Sequence, residues 1–311
     1  MQILSNIREL NEYIHLVSSK FQNNKSDIDV LFLVEWKSLY DLMWSKNVTI
    51  SPNRFIKIIQ IISKQKNMML FSGYDQNDVT EYLYFLLDCF HNGLKKTDNK
   101  LFEKQIKYIK DKNFNEYYRR IYENNFSIIE VLFSGCYKIN IIEKDTNKII
   151  SSRYDNFYMI DLQLSSTNLI ECLDDYFKNE EMNEENNNQY YDDNDKCYKN
   201  VYMQQKIIHK PRILIIHLKR WNNNLRKNQR IIHFDLHTLN MDKYMEHDKN
   251  VNYNLFGIIN HSGNIFGGHY YSFIKNDNNK WYNYNDTNVN EIKETNIKTN
   301  KNYVLFYRLQ D

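Results

Sequence analysis

His261-Ser262-Gly263, then Phe266-Gly267-Gly268-His269-Tyr270-Tyr271-Ser272-Phe273, then Trp281-Tyr282-Asn283-Tyr284-Asn285-Asp286 is the stretch that decides the fold and carries the densest chemistry of the chain. Two glycines ahead of a histidine let another backbone approach closely where side chains would collide. His269 opens a predicted strand with an alternating pattern. A second predicted strand follows the polar turn Asn276-Asp277-Asn278-Asn279 and ends at Asn285-Asp286. Asp286 stands 17 residues after His269, which fits two strands and a turn. Paired as a hairpin, they bring the Asp286 carboxylate within reach of the imidazole. A carboxylate on one ring nitrogen fixes the tautomer and leaves the other nitrogen as a base. That is the base-and-orienter half of a nucleophilic triad. On spacing alone, a structural histidine hydrogen-bonded within a strand fits the same residues.

Outward from this hairpin, short β-branched and aromatic runs continue in both directions. Ile128 to Phe133, Phe157 to Leu162, Leu255 to Asn260 and Tyr303 to Tyr307 read as strands. Arg212 to Leu218, nearly all apolar after Pro211, reads as a buried one. The first third of the chain is helical in pattern. Phe55, Ile58, Ile59 and Ile62 make an amphipathic stripe, and Val79 to Phe90 repeats it behind Asp78, placed as an N-cap. Helices first and an antiparallel-rich sheet after them define an α+β class. A helix is expected over 168–177. After it, an insert at about 178–196 holds Glu180, Glu181, Glu184, Glu185, Asp192, Asp193 and Asp195, and is expected to be a solvated, mobile loop. An acidic face for a basic partner is the alternative.

A length of 311 residues supports a sizeable core without disulfides or metal, and 42% hydrophobic with 15% aromatic residues excludes a disordered chain. The 41 basic and 39 acidic residues are spread along the chain, with no basic block or aromatic-basic stripe, so no nucleic-acid partner is expected. There is no signal-peptide pattern and no run of about eighteen apolar residues. No membrane partner is expected, and an intracellular place, cytoplasmic or nuclear, follows. Four scattered cysteines, Cys89, Cys136, Cys172 and Cys197, make no disulfide framework.

The histidine stretch resembles the histidine box of the ubiquitin-specific proteases, papain-like cysteine peptidases. Four further stretches are similar to that family in order: Gln76-Asn77-Asp78-Val79-Thr80-Glu81-Tyr82-Leu83, Phe133-Ser134-Gly135, Pro211 to Trp221, and Tyr303-Val304-Leu305-Phe306-Tyr307. The resemblance covers nearly the whole chain. It implies one catalytic domain over 1–311, with a helical thumb at about 1–127, and β fingers and an antiparallel β palm at about 128–311.

It also implies a function. The substrate is ubiquitin on protein conjugates, cleaved at an isopeptide bond after its Gly-Gly tail. His269 is the general base, Asp286 orients it, and Asn285 assists at the oxyanion. Gly267 and Gly268 line the slot for the tail, Gln76 and Asp78 hydrogen-bond it, and Tyr270 flanks the channel; for Asp78 a helix cap alone is an equal alternative. The family's nucleophile belongs to a cysteine box that the sequence lacks. Met1 to Tyr13 resembles the helix after that box from its middle, so the cysteine is expected roughly six residues before Met1, with its oxyanion asparagine. Cys136 echoes the box but falls in the fingers. Many relatives bind a structural zinc through two Cys-x-x-Cys pairs, whereas Cys197 is at best half of one pair. No zinc and no cofactor are expected. The chain as it stands is expected to be inactive, either as part of a deubiquitinase or as a ubiquitin-binding pseudoenzyme.

Overall fold

A computed structural model describes residues 1–24, 27–45, 49–95, 100–265 and 267–310. Two compact units emerge, Met1–Leu132 with Phe256–Ile297, and Phe133–Leu255 with Lys298–Asp311.

The first unit opens with helices α1 (Gln2–Ser5), α2 (Arg8–Val17), α3 (Ile28–Ser45), α4 (Asn53–Gln65), α5 (Val79–Leu94), α6 (Lys100–Ile106), α7 (Lys112–Tyr122) and α8 (Ile128–Phe133). Its core follows the predicted stripes. Phe55, Ile59 and Ile62 of α4 are buried, and Phe55 meets Phe32 and Trp36 of α3 at ring distances of 5.3 and 5.4 Å. Phe90 of α5 closes the cluster edge-on, 4.8 Å from Phe32 and 5.1 Å from Trp36. Such aromatic contacts add about 0.5–1.5 kcal/mol each beyond area burial. The Trp36 indole donates to Asn11 Oδ1 at 2.9 Å. Asn11 in turn donates to the carbonyls of Leu4 and Ile7, fixing the corner between α1 and α2.

Ile128–Phe133 is a helix and not the expected strand. Ser127 Oγ accepts from the amide of Ile129, and Glu130, three residues after the serine, is buried and paired with His91 at 3.1 Å. Capping and burial on several sides outweigh the strand preference of Ile128 and Ile129.

The second unit begins with β1 (Gly135–Glu143), β2 (Ile149–Phe157) and β3 (Ile160–Gln163). The run expected as one strand over 157–162 is therefore broken at Tyr158-Met159. Next come α9 (Leu169–Tyr176), β4 (Glu180–Met182), β5 (Tyr190–Asp192), β6 (Cys197–Lys199), β7 (Val201–His209), β8 (Ile213–Lys219) and β9 (Leu239–Asn240). One antiparallel sheet runs β2-β1-β7-β4, and β3 lies parallel to β8. The acidic insert holds regular structure: β4 pairs with β7, and β5 with β6. Lys199 explains part of this, because its ammonium meets Glu143, Asp192 and Asp195 together. One cation shared among three carboxylates offsets the repulsion that the composition implied. Glu180, Glu184, Glu185 and Asp193 remain exposed.

The chain returns to the first unit through β10 (Asn252–Asn264), then β11 (Gly267–Lys275), β12 (Trp281–Asn285) and β13 (Asn288–Ile292), each antiparallel to the one before. Finally β14 (Asn302–Leu309) pairs antiparallel with β8. Its residues Tyr303 to Tyr307 are all buried, which accounts for the apolar run.

His209, at the end of β7, gives the second unit a pH dependence. Burial, with the charge of Lys210, pulls its imidazole from 6.5 down to about 4, against the pull of Asp248. Between those two values the unfolded chain binds a proton that the folded one refuses, so stability falls as pH falls through the window. The full loss is about 3 kcal/mol. The urea midpoint of the wild type is expected to drop more steeply below pH 6.5 than that of His209→Gln. Parallel curves would contradict this assignment.

Candidate active site

All the residues singled out for chemistry lie in the first unit. The β10–β11 hairpin sets the glycines and His269 in register. Gly263 faces Gly268, Ser262 faces His269, and His261 faces Tyr270. Gly263 has φ +136°, open only to glycine, and a Cβ there would lie 2.4 Å from the Gly267 carbonyl oxygen. A Cβ on Gly268 would lie 2.2 Å from His261 Nε2 and 2.7 Å from the Ser262 carbonyl oxygen. One on Gly267 would stand 2.9 Å from Gln76 Oε1. The glycines thus mark close approach, of the facing backbone and the His261 ring at Gly268 and of the Gln76 side chain at Gly267. Phe266 lies outside the described residues.

β11 carries His269 with its side chain 47% exposed. Its Nε2 lies 2.6 Å from Asn285 Oδ1 and 3.8 Å from Asp286 Oδ2. The sequence-based assignment gave the imidazole to Asp286 and the oxyanion to Asn285. In the structure the hydrogen bond is made by Asn285, and Asp286 is the more distant charge. The cause is local. Asn285 ends β12 and pairs with Asn288, so Asp286 and Thr287 form a two-residue turn. Asp286 enters it with φ +51°, a conformation aspartate tolerates, and its carboxylate, 75% exposed, leaves the line of the strand.

With Oδ1 facing the ring, Nε2 carries the hydrogen and Nδ1 keeps its lone pair. Among the described residues none hydrogen-bonds Nδ1. The arrangement is an imidazole oriented by Asn285, with its other nitrogen available and a carboxylate 3.8 Å from the bonded one.

Gln76 Oε1 accepts from the Gly268 amide at 2.7 Å. Asp78 caps α5, accepting from the Thr80 amide at 2.7 Å. It is also close enough to Tyr270 to act on its phenol, which burial first, and then the Asp78 charge, push up to about 12. The Tyr270 ring packs 4.7 Å from that of His261. Gln76, Asp78, Tyr270 and the paired glycines are therefore brought together.

The cysteines do not join them. Cys89 is buried in α5, and burial pushes its thiol up to about 12. Cys136 is buried in β1, where burial and Asp155 do the same. Cys172 is buried in α9 and donates to the Ser166 carbonyl, while Cys197 is exposed on β6. Among the described residues no group of three or more His, Cys, Asp or Glu could hold a metal ion. No helix among them is long and apolar enough to cross a membrane.

Helices followed by antiparallel strands, with an amide-held histidine directly after a pair of closely approached glycines, define a papain-like peptidase fold. The SAGA Ubp8/Sgf11/Sus1/Sgf73 DUB module bound to ubiquitin aldehyde has this fold, with a TM-score of 0.75 and 21% identity over 100% of this chain and 66% of that one. The chain belongs to the ubiquitin carboxyl-terminal hydrolase family, whose model matches residues 1–307. It is 26% identical over 327 residues to human ubiquitin carboxyl-terminal hydrolase 2, covering 99% of this chain and 52% of the relative. A probable ubiquitin carboxyl-terminal hydrolase from Acanthamoeba polyphaga mimivirus is 25% identical over 333 residues, 88% of this chain and 69% of that protein. The chain spans about half the length of the human, bovine and rat relatives it matches.

Proposed function

We propose that this chain supplies the ubiquitin-binding surface and the acid–base machinery of a deubiquitinating cysteine isopeptidase, with the nucleophilic thiol lying outside its four cysteines. The observation that carries the reading is the 2.6 Å bond in which Asn285 Oδ1 accepts from His269 Nε2, directly after the paired glycines. In the proposed reaction, His269 Nδ1 takes the proton of a thiol. The thiolate attacks the carbonyl carbon of the last glycine of ubiquitin. The C–N bond breaks as the lysine amine leaves with the proton that His269 returns, and water, deprotonated by the same nitrogen, hydrolyses the thioester. Asn285 holds the ring, and Asp286 lies 3.8 Å from the same ring nitrogen. Gly267, Gly268, Gln76, Asp78 and Tyr270 take the extended tail. Both units together make one catalytic domain, working inside a eukaryotic cell, cytoplasmic or nuclear. The ubiquitin aldehyde bound to a protein of the same fold supports the choice of partner.

The placement of the thiols favours a second reading, a ubiquitin-binding pseudoenzyme, because the thiols of Cys89 and Cys136 are held as neutral, buried groups. One experiment addresses both readings. The chain is expected to bind ubiquitin in the micromolar range by calorimetry and to lose binding to ubiquitin lacking its two terminal glycines. It is expected to form no adduct with ubiquitin bearing a C-terminal electrophile. Absence of binding would remove the function proposed. An adduct on one of the four cysteines would overturn the view that the thiol lies elsewhere, and an adduct only after extension of the chain upstream of Met1 would decide for the enzyme.

A further inference from the structure

On the premise that the slot receives the tail of ubiquitin, we propose that Gln76 is an internal plug, a side-chain stand-in for the peptide carbonyl that the tail must bring to Gly268. β11 begins at Gly267, yet β12 pairs with it only from Ser272 to Lys275. Gly267 to His269 therefore have β10 on one side and, among the described residues, no strand on the other. A strand edge with no neighbouring strand is where an extended peptide can add.

One donor of that edge is already engaged, since the Gly268 amide bonds Gln76 Oε1 at 2.7 Å. A glutamine amide oxygen is chemically equivalent to a peptide carbonyl. Any incoming carbonyl that is to bond Gly268 must take its place. The same oxygen stands 2.9 Å from the position of a Gly267 Cβ, so it occupies the space that the absent side chain leaves.

The backbone around Gln76 is pinned. Asn77 Nδ2 donates to the carbonyls of Leu70 and Asp75, both at 2.9 Å, and Gln60 Nε2 donates to that of Gly73 at 3.2 Å. Asp78 is fixed as the cap of α5. Only the side chain of Gln76 has to swing, which makes tail binding an exchange of one acceptor for another. A neutral, exposed hydrogen bond holds such a plug weakly, by about three- to tenfold.

Gln76→Ala tests the proposal in two ways. In the free chain, the Gly268 amide is expected to exchange with deuterated water about three- to tenfold faster than in the wild type, while Gln76→Glu, which keeps an acceptor, stays protected. The association rate of ubiquitin is expected to rise in Gln76→Ala by a similar factor, with dissociation faster as well. A Gln76 that only grips the tail would leave association unchanged and speed dissociation alone, and that outcome overturns the plug. If ubiquitin binds neither protein, the functional premise fails, and the Gly268 exchange still decides: equal rates in wild type and Gln76→Ala overturn the proposal.

Discussion

Gly268→Ala is expected to abolish ubiquitin binding in a calorimetric titration and to lower the unfolding temperature by several degrees. The new methyl would lie 2.2 Å from His261 Nε2 and 2.7 Å from the Ser262 carbonyl oxygen. Neither neighbour yields easily. The carbonyl is backbone of the facing strand, and the His261 ring is buried and packed on Tyr270 at 4.7 Å. Overpacking of this kind costs about 1–3 kcal/mol. Relief requires β10 and β11 to separate at the mouth of the slot, where His269 is the next residue. Gly267→Ala is the control. Its methyl meets only the tip of Gln76, a flexible side chain, and a loss of less than about 1 kcal/mol is expected. Equal melting and equal affinity of Gly268→Ala and wild type would show that β10 and β11 leave room for the methyl.

The second large effect is expected at Arg220 in the other unit. Its side chain is fully buried. Nε donates to the Asn302 carbonyl at 2.6 Å, and Nη1 to the carbonyls of Asn228 and Arg230 at 2.9 Å each. Burial pulls its pKa down to about 10, which still leaves it charged at neutral pH. One guanidinium thus ties the end of β8 to the segment after it and to the first residue of β14. Arg220→Met keeps the volume but leaves three carbonyls without their donor, and a loss of roughly 3–5 kcal/mol in urea unfolding is expected. Arg220→Lys is expected to recover only part, because one ammonium cannot reproduce the planar fork. A methionine variant as stable as the wild type would show that water satisfies those carbonyls equally well.

Much of this architecture is legible in the sequence where period and turn chemistry agree. The α5 helix begins at the capping aspartate, the histidine hairpin turns at its asparagines, and the buried runs of β8 and β14 are strands. Errors arise where a local signal competes with a stronger one. Ile128 and Ile129 argue for a strand, while Ser127 and Glu130, spaced as a capping pair, argue for the helix that forms. Asp286 is the chemically obvious partner for His269, but a left-handed residue in a two-residue turn hands that role to Asn285. The strands in the acidic insert depend on Lys199 gathering carboxylates that composition alone reads as repelling. No local pattern could reveal the contact between Gln76 and Gly268, since 192 residues separate them.

That separation is general to the first unit, which takes Met1–Leu132 and then waits for Phe256–Ile297. The second unit in turn lacks β14 until Lys298–Asp311 arrive. During synthesis, then, the first body cannot close until Ile297 has been read, after most of the second, and the second must wait for its last residues, Lys298–Asp311. At about 5–20 residues per second the helices stand for several seconds without the strands that complete the site. A premature stop between Phe133 and Ile297 leaves two unfinished bodies and no intact half. The interleaving makes the candidate site one of the last things the nascent chain can assemble.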